Sequence, residues 1–223
     1  MCLIALSIEK SKDWSGKDSY FYKIIANRDE YHERPTSVMK WWSNNIVLAG
    51  RDEEAGGTWL GVSKEGKFGA ITNLKEETDI KYSNSRGSLV TEFLESQMSA
   101  KSYLEALEPN KENYAGFNLI IGDKRGLFYL CNRLEGIFFI SEGIHALGNL
   151  TLNSSTKKLE SIKSDFTQIL HEGFAIDKGL NIMRKEYGNL HEKNKKELRA
   201  RDGEEIPFRF IKSPIYGTRC TTV

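Results

Sequence analysis

The second residue of the chain is a cysteine, Cys2, directly behind the initiator methionine. Because the Cys2 side chain is small, Met1 can be removed by processing, which would leave Cys2 as the first residue. An N-terminal cysteine carries a nucleophile and a base in one residue. Its thiol can attack a carbonyl carbon, and its α-amine, with an ordinary pKa of about 7.7–8.0, can accept the thiol proton. The alternative for Cys2 is core packing at the start of a strand, since free cysteine is among the most buried residue types.

A second group of reactive side chains is the sequence NRDE at residues 27–30, which closes an apolar segment. Arg28 could lower the pKa of a nearby thiol and Asp29 could orient an amine, provided that both lie within about 4–6 Å of it. Adjacent strand residues point to opposite faces, so Arg28 and Asp29 can share one site only where the strand ends or bulges. The alternative for this segment is a solvated strand exit.

Other patterns typical of binding sites are incomplete. Residues 61–67 have the GxxxxGK spacing of a phosphate-binding loop, but Phe68 stands where a magnesium-binding Ser or Thr would follow. The segment also reads as strand, turn and strand, so no helix would begin at the phosphate. There is no CxxC pair, and none of the three His-Glu pairs continues as HExxH. We therefore expect no metal site and no required cofactor.

Composition excludes several classes of protein. The 32 Lys and Arg residues against 31 Asp and Glu give a formal net charge of +1, without the basic surplus of a nucleic-acid-binding domain. The basic run at residues 185–201 is interrupted by acidic side chains, which is typical of a solvated face. We therefore expect no nucleic-acid partner. The near-neutral charge favours a small, largely uncharged or amphipathic ligand.

Three features of the sequence bear on the compartment of the protein: its apolar runs, its N-terminus and its cysteines. With 39% hydrophobic residues the chain can bury a core, but its apolar runs are far shorter than the roughly 20 residues of a membrane span. The N-terminus lacks the charged and apolar regions of a secretory signal. The three cysteines are an odd number and are widely spaced, which does not indicate a disulfide framework. The sequence predicts a soluble, cytoplasmic protein without a membrane span.

The elements that position Cys2 and the NRDE segment can be read from hydrophobic periodicity. Short β-branched and aromatic segments predict strands, and apolar residues three and four apart predict two helices within residues 88–107 and a third at about 156–171. A fourth helix is expected near 178–187, and a loop or frayed helix at 188–205. Strands are predicted at residues 2–8, 20–27, 45–52, 58–64, 67–73, 116–123, 126–133 and 136–143, with a strand-like end at 208–223. This order favours one α+β domain, with antiparallel sheets covered by helices.

Several short motifs occur in a fixed order from the first residues to the last. They are Met-Cys at 1–2, NRDE at 27–30 followed by Arg34-Pro35, GGTWLG at 56–61, ITN at 71–73, Arg86-Gly87 with Leu89-Val90, GFNL–GD at 116–123, LGN at 147–149 and YGTR at 216–219. Each motif is weak alone. The ordered set resembles the NRDE family, the relatives of transport and Golgi organisation protein 2.

This resemblance implies the fold of the N-terminal nucleophile hydrolases, a four-layer αββα sandwich, in a single NRDE-type domain of residues 1–223. The cysteine branch of that superfamily includes penicillin V acylases and bile-salt hydrolases, which cleave linear amides. By this resemblance the chain would be a cysteine amidohydrolase that forms a thioester acyl-enzyme. Asn73 and Asn149 would donate to the oxyanion, and Arg219 would add a second positive charge. The implied catalytic residues are Cys2, Arg28, Asp29, Asn73, Asn149 and Arg219.

A second hypothesis follows from the same resemblance, because eukaryotic relatives are implicated in heme movement and lipid metabolism. The chain would then be a non-catalytic carrier or chaperone of a hydrophobic small molecule, with heme as a candidate ligand. The sequence has no CxxCH motif and no recurring His or Met pattern of axial ligands. Candidate substrate-binding residues are Trp41, Trp42 and Trp59, whose alternative is ordinary packing. The last motif stops within a strand pattern that relatives continue, which leaves a truncated C-terminus open.

Overall fold

The computed structural model describes residues 2–76, 82–185, 187–189 and 208–223. Within these residues the chain forms two large antiparallel sheets, a two-stranded parallel sheet and four α-helices. None of the described helices is long and apolar enough to cross a membrane.

The first sheet has the strand order β10-β1-β2-β13. Its centre is the antiparallel hairpin of β1 and β2, and the two shorter strands flank that hairpin. The bounds are β1 (Cys2–Lys12), β2 (Asp18–Tyr31), β10 (Gly143–Leu147) and β13 (Tyr216–Thr222). This arrangement brings the start of the chain, the NRDE segment and the C-terminal motif to neighbouring strands.

The second sheet is a seven-stranded meander in which each strand pairs with the next, in the order β3-β4-β5-β6-β7-β8-β9. The bounds are β3 (Thr36–Trp41), β4 (Val47–Asp52), β5 (Leu60–Ser63), β6 (Phe68–Asn73), β7 (Phe117–Asp123), β8 (Gly126–Cys131) and β9 (Phe138–Ile140). Hydrophobic periodicity did not predict β3. It is an edge strand with four consecutive exposed residues, so it lacks the alternation of a half-buried strand.

The predicted strand at residues 136–143 is wrong as a single element. Residues Phe138–Ile140 end the meander as β9, whereas β10 starts at Gly143 and pairs with β1 in the other sheet. Gly143 has φ +121°, a backbone conformation that favours glycine. The chain therefore changes sheets at this residue, which periodicity alone does not reveal.

The helices form the two outer layers. Helices α1 (Arg86–Glu95) and α2 (Ala100–Leu107) cover the second sheet, and α3 (Lys157–His171) and α4 (Ile176–Arg184) cover the first. The α3 prediction was close, because Thr156 is the N-cap and its side chain accepts from the Leu159 N–H. A 3₁₀ helix, Glu108–Asn113, follows α2. The α+β, four-layer αββα architecture is confirmed.

A parallel pair completes the described structure. The strands β11 (Tyr187–Asn189) and β12 (Phe210–Lys212) are hydrogen-bonded to each other. The loop or frayed helix expected at 188–205 lies outside the described residues except for residues 188 and 189.

Alternation along β1 separates two of the cores. Ile4, Leu6 and Ile8 pack between the two sheets, whereas Leu3 and Ala5 pack under the helices of the first sheet. Cys2 is in phase with the first of these sets. The hydrophobic pattern of the strand therefore directs its first side chain to the space between the sheets.

Candidate active site

A cavity of about 600 Å³ opens at the end of the sandwich where β1 begins and the NRDE segment ends. Both sheets and the segment leading into α1 contribute to its wall, which includes Cys2, Arg28, Asp29, Trp59 and Asn73. A volume of this size is typical of small-molecule sites.

Strand pairing sets Cys2 beside Arg28. The antiparallel register of β1 and β2 places the two residues directly opposite each other. Side chains of directly opposed residues lie on the same face, with Cβ atoms about 4.5–5.5 Å apart. The thiol and the guanidinium therefore enter the cavity from neighbouring strands.

The backbone nitrogen of Cys2 is held by a side chain from a distant part of the chain. The Cys2 N–H donates to Asn149 Oδ1 at 3.3 Å, and Asn149 Nδ2 donates to the Asn73 carbonyl at 2.7 Å. The Asn149 carbonyl accepts from the Lys75 N–H at 2.7 Å. These contacts point the oxygen of the Asn149 carboxamide at the backbone nitrogen of Cys2.

The environment of the Cys2 thiol has opposing effects. Burial raises the pKa of the thiol above its ordinary value. The Arg28 guanidinium and a hydrogen bond from the Asp29 backbone N–H lower the pKa, and the Asp29 carboxylate raises it. The net effect of these opposing influences is to raise the pKa of the thiol.

Arg28 is buried in a network of oxygen acceptors. Its Nη1 donates to Thr36 Oγ1 at 3.2 Å and its Nη2 to Asp52 Oδ2 at 3.3 Å, with Glu30 Oε2 3.6 Å from Nη2. The same Asp52 oxygen accepts from Arg34 Nε at 2.6 Å. Burial acts to raise the pKa of Asp52, but the hydrogen bonds and the two guanidinium charges outweigh it and hold that pKa below its usual range. The network fixes Arg28 in the cavity.

Asp29 faces a different set of groups, as strand alternation requires. Its Oδ1 accepts from the Thr218 hydroxyl at 2.6 Å, next to a register shift between Thr218 and Cys220 in the pairing of β13 with β2. Burial raises the pKa of Asp29, and the positive charge of Lys158 on α3 opposes that shift. Arg28 thus acts on the Cys2 thiol through the charge of its side chain, whereas Asp29 contacts the sulfur through its backbone N–H.

The three candidate substrate-binding tryptophans lie in different places. Trp59 lines the Cys2 cavity. The Trp42 indole donates to the Ala49 carbonyl at 3.2 Å and stacks with Arg51, and Trp41 is exposed beside Lys64. The structure does not bring Trp41 or Trp42 into the wall of the cavity.

Arg219 lines a second cavity of about 390 Å³, next to the first. Its Nη1 lies 3.1 Å from His32 Nδ1 and donates to the Tyr31 carbonyl at 3.5 Å. The two cavities share Trp59 as a wall, and the Trp59 indole contacts the sulfur of Cys220. The structure thus separates Arg219 from Cys2 and puts Cys220 opposite Arg28 on the far side of β2.

Sequence reasoning missed several charged residues of the wall. Arg34, Arg51, Asp52 and Arg86 all line the Cys2 cavity. Arg34 and Arg86 stand in motifs that carried the family resemblance, and Arg51 and Asp52 close a predicted strand. A search for charges at predicted strand ends would have found Arg51 and Asp52, but such charges are also common in solvated turns.

Two glycines let opposite sides of the wall approach closely. A Cβ on Gly57 would lie 2.6 Å from the backbone carbon of Gly87. The Thr58 N–H donates to the Gly87 carbonyl at 3.3 Å. This contact gives a physical reason for glycine in the GGTWLG and Arg86-Gly87 motifs, because a side chain at Gly57 would separate the two segments.

No group of three or more His, Cys, Asp or Glu residues that could hold a metal ion occurs in the part of the chain that the structure describes.

Comparison with known proteins supplies the family. All 223 residues match the family model described as Transport and Golgi organisation 2. The chain is 31% identical over 243 residues to the Transport and Golgi organization 2 homolog of Mus musculus, and 30% identical to the Homo sapiens homolog. Each alignment covers all of this chain and 87% of the relative.

A solved structure supplies the fold. The Caenorhabditis elegans ortholog of N-acylethanolamine-hydrolyzing acid amidase matches with a TM-score of 0.55 at 10% identity, over 82% of this chain and 85% of that one. The chain therefore shares the fold of that amidase. The chain itself belongs to the Transport and Golgi organisation 2 family.

Proposed function

We propose that the chain is a cysteine amidohydrolase that cleaves a small linear amide, with Cys2 as the nucleophile after removal of Met1. The observation that carries the proposal is the backbone nitrogen of Cys2, which donates to Asn149 Oδ1 at the edge of a 600 Å³ cavity beside Arg28. After removal of Met1, this nitrogen would act as the base for its own thiol.

The reaction would proceed through a thioester. The Cys2 sulfur bonds to the amide carbon while the α-amine takes the thiol proton, and the carbonyl oxygen becomes an oxyanion. Cleavage of the carbon–nitrogen bond then releases the amine, which receives that proton. A water attacks the thioester and gives one proton to the α-amine, and the departing sulfur takes that proton, leaving a carboxylic acid and the free thiol.

The contacts refine the role of Asn149. Because its Oδ1 accepts from the Cys2 nitrogen and its Nδ2 donates to a carbonyl, Asn149 suits the positioning of the α-amine. Asn73, whose side chain is exposed and lines the cavity, suits donation to the oxyanion. Arg28 would stabilise the thiolate as the proton leaves.

Intact-mass analysis and a trapping experiment test the mechanism. We expect the purified chain to lack Met1, and a panel of N-acyl aminocoumarins to include a substrate that adds an acyl mass to the peptide bearing Cys2. Cys2→Ala should lower turnover by at least about a thousandfold. Retention of Met1 in active protein, or full turnover in Cys2→Ala, would show that this mechanism is wrong.

Cys131→Ala is the matched control. Cys131 is also a free cysteine, but it is buried in the core between the sheets rather than in the cavity wall. This variant should keep turnover and acyl labelling of Cys2. The use of a free thiol is compatible with a reducing, cytoplasmic setting.

The second candidate is a carrier of a hydrophobic small molecule such as heme or a lipid, and the word transport in the names of the relatives motivates it. Among the described residues of the cavity wall, Cys2 supplies a thiol but no His or Met is present. Saturable hemin binding that Cys2→Ala abolishes, in protein that hydrolyses no amide, would favour the carrier.

A further inference from the structure

In the part of the chain that the structure describes, two arginines in the wall of the Cys2 cavity form no ion pair. Arg28 and Arg34 share Asp52 as an acceptor. Arg51 and Arg86 line the same cavity, yet neither has an ion-pair partner within 4.0 Å in the ranges that the structure describes. Among the described residues, the wall carries four arginines and three acids, which are Asp29, Glu30 and Asp52.

Arg86 is the more buried of these two arginines. Its Nη1 donates to the Gly116 carbonyl at 3.0 Å, and the residue is half-buried. Burial lowers the pKa of Arg86, and the charge of Arg34 acts in the same direction, whereas the charges of Glu76, Cys2 and Glu30 act to raise it. A guanidinium has five N–H donors, so the bond to Gly116 leaves donors for a ligand.

Arg51 is the more exposed of the two arginines. Its guanidinium carbon lies 4.9 Å from the centroid of the Trp42 ring, and the residue is exposed. Stacking on an indole holds the planar guanidinium in one orientation without consuming its N–H donors. The indole thus presents Arg51 at the mouth of the cavity.

We infer that the ligand of this cavity carries a carboxylate, which Arg86 binds inside the cavity and Arg51 attracts at its mouth. The inference rests on the proposed function for the identity of the bond that is cleaved. Together they give the substrate class, which is an amide that bears a carboxylate. Guanidinium and carboxylate match in planar geometry and form strong, charge-assisted hydrogen bonds. This differs from the uncharged ligand that the net charge of the chain favours, because net charge averages over surfaces that the ligand never meets.

Matched ligands test the inference in protein that cannot consume them. Isothermal titration calorimetry on full-length Cys2→Ala compares short-, medium- and long-chain N-acylglycines with their methyl esters, which lack only the charge. We expect the acid to bind at least about tenfold more tightly than its ester at low ionic strength. This preference should shrink as salt is added.

Arg86 variants test whether this residue causes the preference for the acid over its ester. Arg86→Gln in the same background should remove most of the acid preference and leave ester affinity within about twofold, whereas Arg86→Lys should keep part of it. Arg125→Gln is the control, because Arg125 is exposed and pairs with Asp123 at the turn after β7. It should change neither affinity.

Three outcomes would overturn the inference: equal affinity for acid and ester, binding of neither ligand, or an equal loss of both affinities in Arg86→Gln with unchanged melting temperature. Hydrolysis by the unmodified chain is scored separately. If the acid binds more tightly than its ester but no amide is hydrolysed, the proposed amidohydrolase function is wrong and the carboxylate site stands.

Discussion

The hairpin of β1 and β2 carries charged side chains at both ends, but these side chains are exposed at one end and largely buried at the other. At the turn, Lys10 and Lys12 pair with Asp18, and the side chains of Lys12 and Asp18 are 66% and 39% exposed. At the open end, Arg28 and Asp52 expose only 6% and 17% of their side chains. Ion pairs at exposed positions contribute little to stability, whereas breaking a buried pair costs about 3–5 kcal/mol.

The second sheet is the cause of this difference. It supplies Thr36 and Asp52 against the open end, whereas β1 is exposed from residue 9 to residue 12. The same two strands therefore carry a solvated cluster and an enclosed one. Enclosure, rather than the number of charges, makes the open end a candidate site.

The largest expected effect comes from Asp52. Asp52→Ala removes the acceptor shared by Arg28 and Arg34 and leaves Arg28 buried with less compensation, so we expect unfolding free energy to fall by about 3 kcal/mol in urea denaturation. Asp52→Asn should be milder, because Oδ1 also accepts from the Glu54 and Ala55 N–H groups and the amide keeps that oxygen. Asp18→Ala at the turn is the matched comparison and should leave stability unchanged. Equal losses at the two ends would contradict the role of enclosure.

A glycine pair gives a smaller effect. Gly57→Ala forces a Cβ within 2.6 Å of the Gly87 backbone and should cost about 1–3 kcal/mol through overpacking, with a loss of ligand affinity as the wall opens. Gly16, at the turn, has φ +80° and nothing within 4 Å of a built Cβ. Gly16→Ala should cost about 1 kcal/mol from backbone strain alone and leave ligand binding intact. Thermal denaturation and ligand titration of both variants measure the contrast.

The smallest expected effect is the response of two carboxyl pKa values, those of Asp18 and Asp52, to added salt. Hydrogen bonds from lysines hold the pKa of Asp18 below its ordinary value; that of Asp52 is also lowered, by Arg34 and Arg28 against burial. Added salt should return the pKa of Asp18 toward normal and leave that of Asp52 low, since exposed charges are screened far more. NMR titration of the side-chain carboxyl carbons at low and high salt measures both.

The same shift fixes a pH dependence. Because the folded-state pKa of Asp52 lies below the unfolded value of about 3.9, its stabilisation is complete above that value and is lost as pH falls through the folded-state pKa. Asp52→Asn should flatten the acid limb of the stability curve. An unchanged acid limb would show that Asp52 gains nothing from its partners.

Much of the fold could be predicted from local patterns. The helices at α1 to α3 and eight of the strands follow from periods of 3.6 and 2, because each element buries one face. The exposed edge strand β3 and the switch of sheets at Gly143 could not be predicted in this way. Both depend on which strand lies alongside, and a residue's own neighbours in sequence do not encode that.

The site divides in the same way. The types and order of the motifs were enough to assign the family and to single out Cys2, Arg28 and Asn149, whose catalytic roles stay predictions. They could not show that Asn149, 147 positions from Cys2, points its oxygen at the Cys2 nitrogen. They also could not show that Arg219 belongs to a neighbouring cavity.

Sequence by itself determined the layers, the family and the residue that can act as a nucleophile, because these depend on side-chain type and short-range spacing. Only the tertiary structure decided which charges are enclosed and which lack a partner. Arg28 and Arg51 are alike as residues, but Asp52 neutralises the first, and no carboxylate among the described residues neutralises the second. Enclosure and pairing arise from contacts between strands far apart in the chain, so they exist only once the two sheets have packed.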